Sequence, residues 1–189
     1  MRLFSIDRTG STCIKLFGKT LITFFDNILM SLSSENFKCN CDRDDLVVCE
    51  FTDEVLEDIK DSEFGSKYIK FLQEKYPDKF EGFAYYSQDG KPCGYICGVK
   101  PECNVRLYRV RNCSFFVKFV YVFDEFRGQR IASKLFQQLF LRINGKEVVF
   151  SVRKNNISAI KSYIRAGAEE KCRKKFIRVM KINLPYYKV

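Results

Sequence analysis

The stretch Ser114-Phe-Phe-Val-Lys-Phe-Val-Tyr-Val-Phe-Asp-Glu-Phe-Arg-Gly-Gln-Arg-Ile-Ala-Ser-Lys-Leu-Phe136 decides the fold of this chain, because it joins a strand pattern to a helix pattern through one short turn. Residues 114–122 are mostly β-branched or aromatic, which predicts a largely buried strand. Apolar residues then recur at helical spacing and predict an amphipathic helix over 131–143. The turn between them contains Gly128. Such a turn leaves backbone N–H groups unpaired at the positive end of the helix dipole, which favours binding of phosphate.

Working outward from this stretch, the chain alternates between strand and helix patterns. Thr52 or Asp53 is expected to cap a helix that begins there, and Asp89-Gly90 predicts the tight turn of a β-hairpin. Further strands are predicted at 46–51, 82–87, 92–97, 105–111, 147–152 and 174–182, and further helices at 66–76 and 157–165. This succession predicts a mixed α/β sheet with helices packed on its faces.

The first 45 residues are predicted to form an N-terminal extension and a linker, with one domain over 46–189. Apolar residues within 16–29 recur at helical spacing and predict a helix that packs on the domain or on a second copy of the chain, so a homodimer stays open. A helix lying on a membrane surface is the weaker alternative, because the segment is not strongly basic. No transmembrane span is expected, since charged residues interrupt the best candidate, 14–32.

Composition excludes several kinds of site. The chain has 189 residues and no histidine, which rules out Ser-His-Asp and Cys-His catalysis and any histidine-bound metal. Its nine cysteines are irregularly spaced and include no Cys-x-x-Cys pair, and no signal peptide is expected before them. We therefore expect reduced thiols, a cytoplasmic location and no metal site.

The net charge of +10 is unevenly distributed, with 0 over residues 1–45, −5 over 46–103 and +15 over 104–189. A positive field around the turn would attract a polyanionic ligand, and the acidic middle section would suit a neutral or cationic second ligand. Solvated charged faces are the alternative reading of both regions. Basic runs at 106–111 and 171–178 lack the regular aromatic interleaving of a stacking platform, so no nucleic acid partner is expected.

Two motifs carry a resemblance to a known family. Arg127-Gly-Gln-Arg-Ile-Ala132 resembles motif A of the GNAT acetyltransferase superfamily, although Arg130 stands where the family usually has glycine. Downstream, Asn156, Ala159, Tyr163 and Gly167 are in register with the family's motif B, and Ala168 replaces its final aromatic residue. Either motif alone is weakly specific, but the two occur in order with a helix and a strand between them.

The resemblance implies a GNAT-like, mostly antiparallel mixed sheet of about six to seven strands, with acetyl-CoA as co-substrate and no metal. Backbone N–H groups of Gln129–Ala132 would hold the pyrophosphate, Val122 would pair with the pantetheine arm, and Tyr163 would protonate the departing thiolate. The residues implied in cofactor binding are Val122, Arg127, Gly128, Gln129, Arg130, Ile131, Ala132, Ser133 and Asn156. Each of these roles has a purely structural alternative. The turn could be an ordinary strand–helix connection, Asn156 a helix N-cap and Tyr163 an aromatic residue of the core.

The resulting hypothesis is an acetyl-CoA-dependent N-acetyltransferase in which a primary amine attacks the thioester directly. The acceptor is left open among small-molecule amines, amino sugars and peptide amines. Glu81, Asp124 and Glu125 are available as a general base, and nothing in their spacing selects one. The alternative is a non-catalytic acyl-CoA-binding or regulatory module with the same fold, which the departures at Arg130 and Ala168 favour.

Overall fold

The computed structural model describes residues 4–5, 13–17, 20–38, 43–62, 66–100, 115–143 and 147–181. In these ranges, nine strands form one sheet: β1 Phe4–Ser5, β2 Cys13–Phe17, β3 Thr20–Ser33, β4 Val47–Glu50, β5 Phe80–Tyr86, β6 Pro92–Val99, β7 Phe115–Val122, β8 Glu147–Arg153 and β9 Glu169–Lys181. The helices are α1 Asp53–Asp58, α2 Ser66–Lys75, α3 Ile131–Ile143 and α4 Ile157–Arg165, with a short 3-10 helix at Asp124–Phe126. The strand predicted over 105–111 lies outside the described residues.

The strand order is β1-β2-β3-β8-β7-β6-β5-β4, and β9 pairs with β3. All of these pairs are antiparallel except β7 with β8, which is parallel. The predicted mixed α/β fold with a mostly antiparallel sheet is therefore confirmed. The sheet has more strands than the predicted six to seven, because the N-terminal segment contributes three.

The helix predicted in the N-terminal segment is wrong. Residues 13–17 and 20–33 are strands, and β3 pairs with β8 over Asn27–Ser33 and with β9 over Thr20–Ser31. The segment is rich in β-branched and aromatic residues, and a short apolar run of this kind fits a strand as well as a helix. Strand pairing along both edges of β3 decides between the two. The division into 1–45 and 46–189 stays a prediction.

The core lies in two apolar clusters. One includes Phe83, Val117, Ile131, Leu135 and Phe150, and α3 contributes four of its buried residues. The other includes residues of α1, α2 and the strands β5 and β6. Neighbouring residues of β7 divide between the two clusters, as alternate side chains of a strand do, so the clusters lie on opposite faces of the sheet.

The ladder between β7 and β8 is short. Only Phe115–Val117 of β7 pair with β8, at Val148–Phe150, although β7 continues to Val122 and β8 to Arg153. At the same place the pairing of β7 with β6 shifts by one residue, which makes Lys118 a β-bulge. Beyond these residues the two parallel strands are not paired with each other. We call this unpaired carboxyl end the open end of the β7–β8 ladder. The turn at 127–130 and the start of α4 both follow this end.

Candidate functional site

The turn before α3 has the geometry of an anion site. Gly128 has φ 81° and Arg130 has φ 62°, and both values lie in the left-handed region that favours glycine. Among the described residues, the backbone N–H groups of Gly128, Ile131 and Ala132 have no hydrogen-bond partner. The N–H of Gln129 instead donates to the carbonyl oxygen of Phe126 at 3.4 Å. Three unpaired donors at a helix N-terminus are suited to phosphate oxygens.

Side chains of the turn make contacts within the protein. The Arg127 guanidinium contacts Asp124 at 2.7 Å and donates through Nε to the carbonyl of Val122 at 3.4 Å. The Gln129 amide donates to the carbonyl of Glu125 at 3.1 Å. The hydroxyl of Ser133 donates to the carbonyl of Lys38 at 3.3 Å. Arg127 therefore lies between the turn and the end of β7.

Gly94 allows the end of β7 to come close to β6. A Cβ atom at Gly94 would lie 2.6 Å from the carbonyl oxygen of Tyr121 and 3.3 Å from the Cα of Val122. It would also lie 3.4 Å from the side chain of Ile131 at the start of α3. Residue 94 therefore fixes both the strand end and the helix start against β6, which positions the turn.

Asn156 is the N-cap of α4. Its side-chain oxygen accepts a hydrogen bond from the backbone N–H of Ala159 at 3.1 Å. The structural reading of this residue is therefore confirmed. Its side chain is exposed and follows the carboxyl end of β8. Because β7 and β8 run parallel, this is the same end of the strands that the turn follows.

Tyr163 lies on the α3 side of β8, where the ladder with β7 ends. Its ring is 4.8 Å from the ring of Phe150 and 5.9 Å from that of Phe136, both edge-on. Phe150 belongs to the last paired step of the parallel ladder, opposite Val117. Burial raises the pKa of Tyr163 to about 12. In the described part of the chain, its hydroxyl has no hydrogen-bond partner, which is unusual for a largely buried tyrosine.

The three candidate bases are not equivalent. Glu81 accepts a hydrogen bond from Arg142 at 3.1 Å, near the C-terminal end of α3 and about 16 Å along that helix from its start. Glu81 is therefore remote from the turn. Asp124 is exposed and paired with Arg127, and Glu125 is exposed beside it.

Comparison with known proteins decides the family. The model of the Acetyltransferase (GNAT) family matches residues 49–168, which is more than half of the chain. The chain belongs to the GNAT acetyltransferase family. The match includes the turn before α3, Asn156 and Tyr163, as the two motifs predicted. The GNAT match does not include β3 or β9, which complete the sheet beside β8.

Solved structures of GNAT proteins share this fold. A GCN5-related N-acetyltransferase from Sphaerobacter thermophilus superposes with a TM-score of 0.55 at 19% identity, covering 83% of this chain and 51% of its own. A GNAT-family acetyltransferase from Colwellia psychrerythraea gives 0.53 at 19% identity, covering 83% and 56%. A functionally unknown protein from Staphylococcus epidermidis gives 0.63 at 16% identity, covering 85% and 63%.

The chain thus spans about half to two thirds of the length of these solved proteins. No curated protein matches it. In the ranges that the structure describes, no helix is long and apolar enough to cross a bilayer. The same ranges contain no group of three or more potential cysteine or carboxylate metal ligands.

The sequence motifs did not reveal the contacts that the segment before β4 makes with α3. Lys38, Arg43 and Asp44 contact Ser133, Gln129 and Lys134 respectively, across 86 to 95 residues of sequence. No local pattern signals a contact at this separation. The contacts depend on the path from β3 to β4, which lie on opposite sides of the central strands β8, β7, β6 and β5.

Proposed function

We propose that this chain is an acetyl-CoA-dependent N-acetyltransferase that acts on a primary amine by direct attack. One observation carries the proposal. The unpaired N–H groups before α3 follow the carboxyl end of β7, and Tyr163, whose hydroxyl has no partner among the described residues, packs against Phe150 at the last paired step of the β7–β8 ladder. A cofactor with phosphates at one end and a thioester at the other would bring these two features into use together.

The phosphates would bind at the turn. Gly128, Ile131 and Ala132 supply the unpaired N–H groups. Apart from the two neighbours of Gly128 in the chain, no atom of the described residues lies within 4 Å of a Cβ built on it, so an anion can approach the backbone there. Arg127 and Arg130 add positive charge. Asn156 and the hydroxyl of Ser133 are further proposed contacts, in addition to their structural hydrogen bonds.

The pantetheine arm would extend along β7 beyond its ladder with β8. There it would take the place of a missing strand and pair with the backbone of Val122, as an added strand does. The turn follows the same end of β7, which would bring the thioester between β7 and β8. Backbone N–H groups of β7 would polarise its carbonyl.

In the reaction, the neutral amine nitrogen would attack the carbonyl carbon, and the carbon–sulfur bond would break. The nitrogen loses one proton as the amide forms, and the sulfur gains one. A pKa of about 12 keeps the phenol of Tyr163 protonated at neutral pH. A thiol is a stronger acid, with a pKa of about 8.5, so complete transfer from the phenol to the thiolate is uphill. Tyr163 would therefore act chiefly as a hydrogen-bond donor to the departing sulfur.

The acceptor is proposed to be a primary amine on a small molecule, an amino sugar or a peptide. The acidic section 46–103 suggested a cationic acceptor, yet several of its carboxylates are paired within the protein. Glu50 and Glu81 contact Arg142, Asp53 contacts Lys70, and Glu57 contacts Lys60. These pairs reduce the field available to attract a cation, so the screen must include neutral amines.

The test is release of CoA thiol from acetyl-CoA across a panel of cationic and neutral primary amines at low salt, with the amide product identified by mass spectrometry. The proposal predicts turnover that depends on the amine. Faster acetylation of cationic than of neutral amines would support a role of the acidic section 46–103 in binding the acceptor, and equal rates would rule that role out.

A second candidate is a non-catalytic acyl-CoA-binding module, which the left-handed Arg130 in a usual glycine position favours. Such a module would bind CoA and release no thiol with any amine. The substitution Tyr163→Phe would then have no functional consequence.

A further inference from the structure

The segment just before β4 contacts the start of α3 at three points. The carbonyl of Lys38 accepts from the hydroxyl of Ser133 at 3.3 Å. Arg43 Nη1 donates to Gln129 Oε1 at 2.5 Å. Asp44 pairs with Lys134 Nζ at 3.1 Å. Lys38, Arg43 and Asp44 all precede the region that matches the GNAT family, 49–168.

Arg43 is the residue of this segment that is best placed to meet a phosphate. Its contact Gln129 lies between Gly128 and Arg130, within the turn that carries the unpaired N–H groups. Its Nε and Nη2 atoms donate to the carboxylate of Asp45, and 29% of the arginine side chain is exposed. The planar guanidinium binds phosphate as well as carboxylate, through paired N–H donors.

We propose that Arg43 is a ligand for the phosphates of CoA and that it exchanges Asp45 for a phosphate when the cofactor binds; this rests on the proposed function. The site would then include a residue from outside the two motifs and outside the region that matches the family, brought to the turn by the path from β3 to β4. The carboxylates of Asp44 and Asp45 hold Lys134 and Arg43 beside the turn before binding, and they compete with the incoming phosphate.

The competition gives the proposal two opposite consequences. Removing the guanidinium should weaken CoA binding, because a charged contact to phosphate is lost. Removing the charge of Asp45 should strengthen it, because Arg43 no longer has to leave a carboxylate. If Arg43 only stabilised the segment through Asp45 and Gln129, both substitutions would act in the same direction.

The experiment is calorimetric titration of the full chain with CoA. We expect Arg43→Ala to raise the Kd about tenfold and Arg43→Lys to raise it less, since lysine keeps the charge and loses the fork. Asp45→Asn should lower the Kd about threefold. Lys70→Ala is the matched control, because it removes an exposed cation of α2 that pairs with Asp53 of α1, and its Kd should equal that of the unmodified chain.

A parallel titration with dephospho-CoA identifies the phosphate. An equal loss with both ligands on Arg43→Ala assigns Arg43 to the diphosphate, and a loss with CoA alone assigns it to the phosphate on the ribose. The proposal would be overturned by an unchanged Kd in Arg43→Ala or by a higher Kd, meaning weaker CoA binding, in Asp45→Asn. If Arg43→Ala does not fold, the gain in Asp45→Asn decides. Absence of CoA binding by the unmodified chain would instead refute the proposed function itself.

Discussion

At the scale of single residues, Tyr163 is the most informative side chain. Its ring packs against Phe136 and Phe150, and its hydroxyl is left without a partner among the described residues. Packing alone would be satisfied by phenylalanine, so the hydroxyl is the part of the residue that needs a function. Burial raises its pKa to about 12, which keeps it a donor throughout the neutral range.

We expect Tyr163→Phe to lower kcat about a hundredfold, because loss of one preorganised hydrogen-bond donor to a developing negative charge costs about that much. The Kd for CoA should stay within about twofold, since the ring is preserved. Thiol release and calorimetry measure the two effects. Tyr86→Phe is the control: the hydroxyl of Tyr86 donates to Asp58 at 2.8 Å, among residues on the opposite face of the sheet, and its loss should leave kcat unchanged. Full activity of Tyr163→Phe would exclude this role.

Arg130 is a second residue with a testable cost. Its φ of 62° is strained for an L-residue, by about 1–2 kcal/mol, and glycine avoids most of that strain. Arg130→Gly should therefore be more stable than Arg130→Ala by about 1 kcal/mol, because both lose the side chain and only glycine relieves the backbone. Urea unfolding of the two variants measures the difference. Equal stabilities would mean that the turn relaxes to another conformation.

At the scale of elements, the short parallel ladder and the helix caps create the site. The bulge at Lys118 and the end of the β7–β8 pairing coincide, so β7 continues from there to Val122 paired with β6 and no longer with β8. Asn156 begins α4 at the corresponding end of β8. The same residue is proposed to contact the cofactor, and two substitutions separate these roles.

Asn156→Ala removes the cap and should lower the free energy of unfolding by about 1 kcal/mol. Asn156→Asp keeps a capping oxygen, so its stability should match that of the unmodified chain. The added negative charge near the proposed phosphates should nevertheless weaken CoA binding several-fold. Thermal unfolding and calorimetry on both variants make the comparison. Unchanged CoA affinity in Asn156→Asp would leave the residue with its structural role alone.

The elements that sequence predicted best are those with one clear period. Helix α3 was predicted at its observed bounds, because Ile131, Leu135 and Leu139 keep one buried face. Strand β3 was missed because its apolar residues fit a helical spacing by coincidence, while the choice of strand depends on pairing with β8 and β9. The turn was located from Gly128, yet the left-handed backbone at Arg130 could not be read from an arginine.

At the scale of the whole molecule, β3 brings the N-terminal strands and the C-terminal strand β9 into one sheet. It lies between β8 and β9 and buries Met30 and Leu32, each 1% exposed, in the same core as α3. Removing residues 1–33 would deprive β8 and β9 of their shared partner, although the region that matches the GNAT family would remain intact. The contacts of Arg43 with the turn depend on this long-range arrangement, so no local pattern predicts them.

We therefore expect the fragment 34–189 to lose cooperative thermal unfolding and to aggregate through its exposed strand edges. The fragment 13–189, which lacks only β1 among the described strands, should keep its transition within a few degrees. Circular dichroism and light scattering distinguish the two. A cooperative transition of unchanged midpoint in 34–189 would contradict the assigned position of β3.

The central claim is that the turn before α3 and the open end of the β7–β8 ladder bind acetyl-CoA. The most direct measurement is a thermal-shift titration of the full chain with acetyl-CoA, with CoA, and with ATP as a polyphosphate control. At a hundred times its Kd, a ligand stabilises the folded state by about 2.7 kcal/mol, which gives a clear rise in Tm. A rise with acetyl-CoA and CoA but not with ATP is the predicted result. The absence of a shift with both acetyl-CoA and CoA would contradict the claim, and so would an equal shift with ATP.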